Sequence, residues 1–245
     1  MTAFRLTVHL SSPAIFTRPH PPTLDGLLYA VLYRRYRGDM KEACSNIPLL
    51  RSGNPECQVF HGSVPLIHVF GNTVLRTHAS RSFVGGARPQ DFRQFPEVSW
   101  PSRFQTSRDD TRTELGSYPI LWVEPQIPGR SVAALPPLSL TYFGAAEDPD
   151  RVRDLLLCAI GIGKKTSRGC GTIDRIEEPV LLDRDESLFR DGCVMRPLPE
   201  LVAQSIGAPL EPITEGSFYP PYGFTPSARC VMPPILPILR EELPQ

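Results

Sequence analysis

The sequence has almost no lysine. Of its 26 basic residues only Lys41, Lys164 and Lys165 are lysines, which leaves 23 arginines in a chain of 245. It has no net charge either, because 26 acidic residues balance the basic ones and the pI is about 7.0. A global positive field that gathers polyanions is therefore excluded, and any site for them must be local. No apolar run, Leu155–Ile160 included, approaches the roughly 20 residues of a membrane-spanning helix. Met1–Leu10 is interrupted by Arg5 and His9 and has no h-region, so a signal peptide is not expected. Cys44, Cys57, Cys158, Cys170, Cys193 and Cys230 form no C-x-x-C pair, which argues against a zinc site; a disulfide framework would need a secreted setting. Reduced, mostly buried thiols are expected. His61 and His68 have no carboxylate at ligand spacing, and no G-x-S-x-G elbow offers an activated serine. The expectation is a cytoplasmic protein with no metal and no other cofactor.

What is present in excess is proline. The 28 prolines are about twice the usual share of roughly 5% and imply long ordered loops. With 41% hydrophobic and 21% charged residues the chain can still bury a core. Phe4–Leu10 alternates apolar and polar residues, the period of a half-buried strand. After a Pro-rich link (Pro13, Pro19, Pro21, Pro22), Thr23 caps a helix with Leu24, Leu27, Leu28, Val31 and Leu32 on one face, expected to stop at Gly38. Gln58–His61, Leu66–Phe70 and Leu138–Phe143 read as strands. Asp148-Pro149 opens a second helix with Val152, Leu155, Leu156, Ala159 and Ile160 inward, and Thr172–Ile176 reads as a last strand. The order predicts an α+β fold, a split βαβ ferredoxin-like domain over 1–177. An insertion over about 71–137 is too long to lack structure and is expected to hold a hairpin or small lobe. Residues 178–245 form a Pro-rich extension or small subdomain without strong periodicity.

The most informative motif is Gly161-Ile162-Gly163-Lys164-Lys165-Thr166-Ser167-Arg168-Gly169-Cys170-Gly171. Glycines let backbone approach a ligand, and Lys164, Lys165 and Arg168 supply charge. A Walker A loop would need Ser or Thr at 165 and Gly at 158, which are Lys and Cys; a dinucleotide fingerprint would need Gly at 166, which is Thr. Contact with a phosphate backbone and a plain helix-to-strand connection are the two remaining readings.

Leu24-Asp25-Gly26-Leu27-Leu28 on the first helix, together with this glycine segment before a strand, resembles the RAMP superfamily of CRISPR effector subunits. Those proteins are built on ferredoxin-like, RRM-type βαββαβ domains with a glycine-rich loop between last helix and last strand. The resemblance covers roughly residues 1–177 and is strongest to the subunit that caps the 5′ handle of the crRNA in type IV systems. It implies a non-catalytic RNA-binding role. Gly163, Lys164, Lys165, Ser167 and Arg168 would be on the RNA, and the insertion would be a thumb-like hairpin laid across the guide. It further implies as partners the crRNA, other effector subunits (the backbone subunit above all) and, indirectly, target DNA, with no membrane.

The insertion's own charge agrees. Residues 71–108 hold Arg76, Arg81, Arg88, Arg93, Arg103 and Arg108 against Asp91 and Glu97. Phe83, Phe92, Phe95, Trp100 and Phe104 are interleaved, as in grips on single-stranded RNA. The aromatics could equally be the lobe's own core. Asp174–Asp191 carries seven acids and three arginines, a face expected to avoid RNA and free to meet a basic partner. Arg18 and His20 lie in the loop between first strand and first helix, which is expected to help seat the 5′ handle on the RNA-binding reading, an ordinary surface histidine being the other reading of His20. If the chain is instead a metal-independent crRNA-processing endoribonuclease, the alternative on the same fold, His20 is its candidate general base.

Overall fold

In a computed structural model the described residues are 2–12, 14–16, 21–53, 57–70, 75–82, 116–123, 138–163, 166, 169–222, 227–233 and 238–241. The chain begins with β1 (Thr2–Leu10) and β2 (Ala14–Phe16), then α1 (Leu24–Arg35) and α2 (Met40–Ser45). Next come β3 (Arg51–Ser52), β4 (Val59–Phe60), β5 (Leu66–Phe70), β6 (Leu75–Ser82), β7 (Gly116–Val123) and β8 (Leu138–Ala146). Helix α3 (Pro149–Leu157) leads to β9 (Ile173–Ile176) and β10 (Val180–Leu182). The C-terminal part holds β11 (Phe189–Arg190), β12 (Cys193–Val194), β13 (Leu198–Pro199), α4 (Glu200–Ser205), β14 (Ile213–Gly216), β15 (Ala228–Val231) and β16 (Ile238–Glu241). The protein is α+β, with mainly antiparallel sheets and few helices.

The central sheet has six strands, in the order β10–β1–β8–β5–β16, with β9 also on β1. β1 pairs with β8 along its whole length, from Thr2↔Ala146 to Leu10↔Leu138. β10 takes the start of the free edge of β1 and β9 its end. β8 and β5 are antiparallel, whereas β16 joins β5 in parallel. The alternation in β1 buries Phe4, Leu6 and Val8 and leaves Arg5 exposed. Leu140 and Tyr142 of β8 and Ile67 of β5 fall on the same side as these apolar residues and are fully buried.

Helices α1 and α3 cover that side. Thr23 caps α1 by accepting from the Gly26 N–H, and Leu24, Leu27, Leu28, Val31 and Leu32 are buried. The helix stops earlier than expected, at Arg35, and the chain leaves it through Arg37 (φ 52°) and Gly38 (φ 93°). The Gly38 N–H reaches back to the Tyr33 carbonyl at 2.8 Å, so glycine belongs to the exit turn and not to the helix. Asp148 caps α3 with Pro149 in its first turn, and Val152, Leu155 and Leu156 point inward. Ile160, expected to be inward, is 61% exposed, because α3 ends at Leu157 and the helical spacing no longer applies.

Three further expectations are corrected. The Pro-rich link is not wholly loop, since β2 lies in it and pairs with β7. Within 71–137, where the expected hairpin or small lobe needs no correction, β7 also pairs with β6 from Leu75↔Val123 to Ser82↔Gly116, an antiparallel ladder. β9 is not the last strand, and the chain beyond it builds its own cluster from Leu188, Val194, Leu198, Val202, Phe218, Cys230 and Val231 around the sheet β13–β15–β14, with Val59 packed into it. The thiols are not mostly buried either. Cys158 and Cys193 are exposed, and only Cys230 is buried, where burial pushes its thiol up to about 11.

Candidate functional site

Three arrangements of polar groups stand out. The first is the glycine turn between α3 and β9. Its two arms are zipped by the Ile162 N–H on the Gly171 carbonyl at 2.8 Å, with Ile162 fully buried. Gly171 has φ 63°, and a Cβ there would sit 1.9 Å from the Ile162 carbonyl oxygen, so no other residue fits. Gly163 (φ 97°) and Gly169 (φ 81°) take the same left-handed conformation. Thr172 anchors the turn to the end of β1, its carbonyl accepting from the Ser11 N–H at 2.9 Å and its N–H donating to Ser12 Oγ at 2.8 Å. The turn is therefore a pinned structure beside the link that follows β1.

Of the residues expected on RNA, Gly163 lies in this turn. Lys164, Lys165, Ser167 and Arg168 fall outside the described residues, as do Arg18, His20, Arg88, Arg103 and Arg108. Arg76 and Arg81 are on β6, in register with Trp122 and Ser117.

The second arrangement is buried. Arg196, with no exposed surface, forms a two-pronged ion pair with Asp25, Nη1 to Oδ1 at 3.1 Å and Nη2 to Oδ2 at 3.2 Å. It also donates to the carbonyls of Phe60, Gly62 and Phe218 and to the Tyr222 hydroxyl. Tyr222 donates to Asp25 at 2.7 Å and pairs with Thr23 Oγ1 at 2.9 Å. Burial alone would lower the Arg196 pKa, but the adjoining Asp25 carboxylate outweighs it and the guanidinium is held above its ordinary value. Asp25 and Gly26 of the Leu24-Asp25-Gly26 motif are thus explained by packing. Asp25 clamps α1 to the C-terminal part, and a Cβ at Gly26 would press on Tyr222 at 3.2 Å.

The third is a cleft of about 310 Å³ on the face of the central sheet opposite the helices. Its polar residues form rows across strands. His9 faces Ser139, which faces His68, and Thr7 faces Thr141, which faces Leu66. His9 sits between Glu177 (Nε2 to Oε1, 2.6 Å) and Ser139 (Nδ1 to Oγ, 2.9 Å), while His68 Nε2 is 3.0 Å from Thr141 Oγ1. The carboxylate of Glu177 accepts from the Nε2–H of His9, and the Ser139 hydroxyl lies at its Nδ1. None of these residues was singled out as a ligand contact by sequence reasoning. The alternation in β1 puts Arg5, Thr7 and His9 on one face, but nothing local reveals their partners.

Four of the seven acids in 174–191 are engaged by basic groups, while Asp174, Glu178 and Asp183 stay exposed. Glu177 holds His9, Asp185 holds His61, and Glu186 and Asp191 hold Arg190. His61 therefore does have a carboxylate, supplied from far along the chain. Among the described residues no three His, Cys, Asp or Glu side chains gather as a metal site, and no helix is long and apolar enough to cross a membrane. No protein-family model matches the chain, and no curated protein matches it either.

Proposed function

We propose that the chain is a non-catalytic, crRNA-binding subunit of a class 1 CRISPR effector complex. It caps the 5′ handle of the guide, contacts the backbone subunit and is most like the handle-capping RAMP subunit of type IV systems. The carrying observation is the pinned glycine turn at the junction of α3 and β9. Its backbone geometry admits only glycine at 171, and its sequence presents Lys164, Lys165 and Arg168 between the fixed ends. The strand order supports the same reading. β9–β1–β8–β5 is antiparallel, with α1 and the short α2 between β1 and β5 and α3 between β8 and β9, an order compatible with a ferredoxin-like βαββαβ unit in which α2 is an addition. In that reading 75–123 belongs to the thumb-like insertion, and the cluster beyond β10 is an addition to the unit.

The test is guide binding at several salt concentrations. Replacing Lys164, Lys165 and Arg168 together by alanine should weaken binding of the handle RNA and lower the salt slope by about 2–3. An unchanged slope would remove the turn from the RNA site. Incubating the wild type with repeat RNA in the absence of metal should leave the RNA intact. A cut with a 2′,3′-cyclic phosphate end would make the chain the processing nuclease instead.

A further inference from the structure

We infer that the cleft on the open face of the central sheet is a second RNA contact, one that holds the sugar–phosphate backbone and distinguishes ribose from deoxyribose. The inference rests on the RNA-binding reading above and adds a site to it. The cleft's walls have the chemistry of sugar recognition. Thr7 and Thr141 hydroxyls lie 3.3 Å apart, Thr141 leads on to the His68 ring, and Ser139 is joined to His9. These are groups that both donate and accept, as a 2′-hydroxyl does.

The cleft offers no large open stacking platform. Among the described residues its one Phe, Tyr or Trp wall is Phe143, 2% exposed, with the Arg190 guanidinium over its ring at 4.5 Å, and the His9 and His68 rings are held by hydrogen bonds to Ser139 and Thr141. Recognition therefore falls chiefly to the backbone. The charge is mixed. Glu177 accepts from His9 but stays 45% exposed, and Arg190 is already met by Glu186 and Asp191. Arg5, exposed on the rim and without an ion pair among the described residues, remains for a phosphate. The position is also right. The His9–Ser139–His68 row lies at the end of β1 that ties directly to the glycine turn through Ser11 and Thr172, and Arg5 lies four residues further along the strand. One strand thus connects the turn and the cleft as a continuous track.

The experiment compares a single-stranded handle RNA with its 2′-deoxy counterpart by fluorescence anisotropy, using the full chain. Thr7→Val/Thr141→Val removes the hydroxyls and keeps strand-favouring side chains. It should weaken RNA binding about tenfold, the scale of one or two lost neutral hydrogen bonds, and leave DNA binding unchanged. Arg5→Ala, at an exposed position, should weaken both and lower the salt slope by about one. Circular dichroism of each variant establishes that it is folded. If the variants bind RNA and DNA with wild-type affinities while the glycine-turn variant loses binding, the cleft is not an RNA contact and the turn remains one. If the wild type itself binds neither, both readings fall. If the valine pair weakens RNA and DNA alike, the cleft does not discriminate the sugar and the inference is overturned.

Discussion

Arg196 and Arg5 bring the same guanidinium to opposite ends of the range a protein can offer. Arg196 is sealed from solvent, its two terminal nitrogens held by one carboxylate, one phenol and three carbonyls while its Nε has no partner among the described residues. Arg5 stands on the rim of an open cleft without an ion pair among the described residues. The difference teaches that an excess of arginine over lysine is not one property. The planar fork that grips phosphates at a surface also makes an interior hub, because its donors are rigid and its charge is never lost. The sharpest way to break the comparison is to remove the partner of the buried one. Asp25→Ala leaves a charged guanidinium in the interior with no counter-ion, a change that costs about 3–5 kcal/mol. Against a total of roughly 5–15 kcal/mol this approaches unfolding. Urea unfolding should show a large loss for Asp25→Ala and almost none for Arg5→Ala; equal midpoints would mean that the buried pair is not a hub at all.

A second contrast separates the two faces of the sheet. On the open face every hydroxyl named above has a partner, whereas on the helix side the Tyr142 hydroxyl is buried and has none among the described residues. Burial raises its pKa well above the ordinary tyrosine value, so it stays neutral. A buried donor without an acceptor is a net penalty. Tyr142→Phe should therefore stabilise by about 1 kcal/mol, raising Tm by roughly 2–4 °C for a chain of this size. A lower Tm would show that the hydroxyl is in fact satisfied.

What could be read ahead of the structure was what is local. Thr23 and Asp148-Pro149 announce their helices because a cap acts within three residues. β1 announces its two faces because nine residues give enough alternations to see. Beyond β10 the strands run for two to four residues, too short for any period to emerge. The Leu24-Asp25-Gly26 motif was visible, but its meaning depends on Arg196, 171 positions away. The cleft was hidden for the same reason: His9 meets Ser139 across 130 positions and His68 meets Thr141 across 73. Only the register of three distant strands puts them in rows, and register is a tertiary fact. The glycines and basic residues of the glycine segment were legible as sequence, while the zipping of its two arms follows from the close approach of Gly171 to Ile162.

The smallest effect tests the middle of the range, a charge that is neither sealed nor free. The Asp185 carboxylate is 22% exposed, bound to His61 and accepting from the Ser187 N–H at 2.8 Å. Burial tends to raise its pKa, but the hydrogen bonds from His61 and Ser187 outweigh this and hold it below the ordinary value. A carboxyl depressed in the folded state contributes its full stabilisation above its unfolded pKa of about 3.9, and loses it as pH falls through the folded value. Over that window the unfolded chain binds the proton first, so stability falls with pH. Urea midpoints of the wild type and of Asp185→Asn should therefore differ at pH 6, with the wild type the more stable, and draw together as pH drops below about 4. A difference that persists undiminished at low pH would assign the effect to the hydrogen-bonded shape of the Asp185–Ser187 turn, and a wild type no more stable than the variant at pH 6 would leave the His61 pair with no net contribution, as for many ion pairs at a surface.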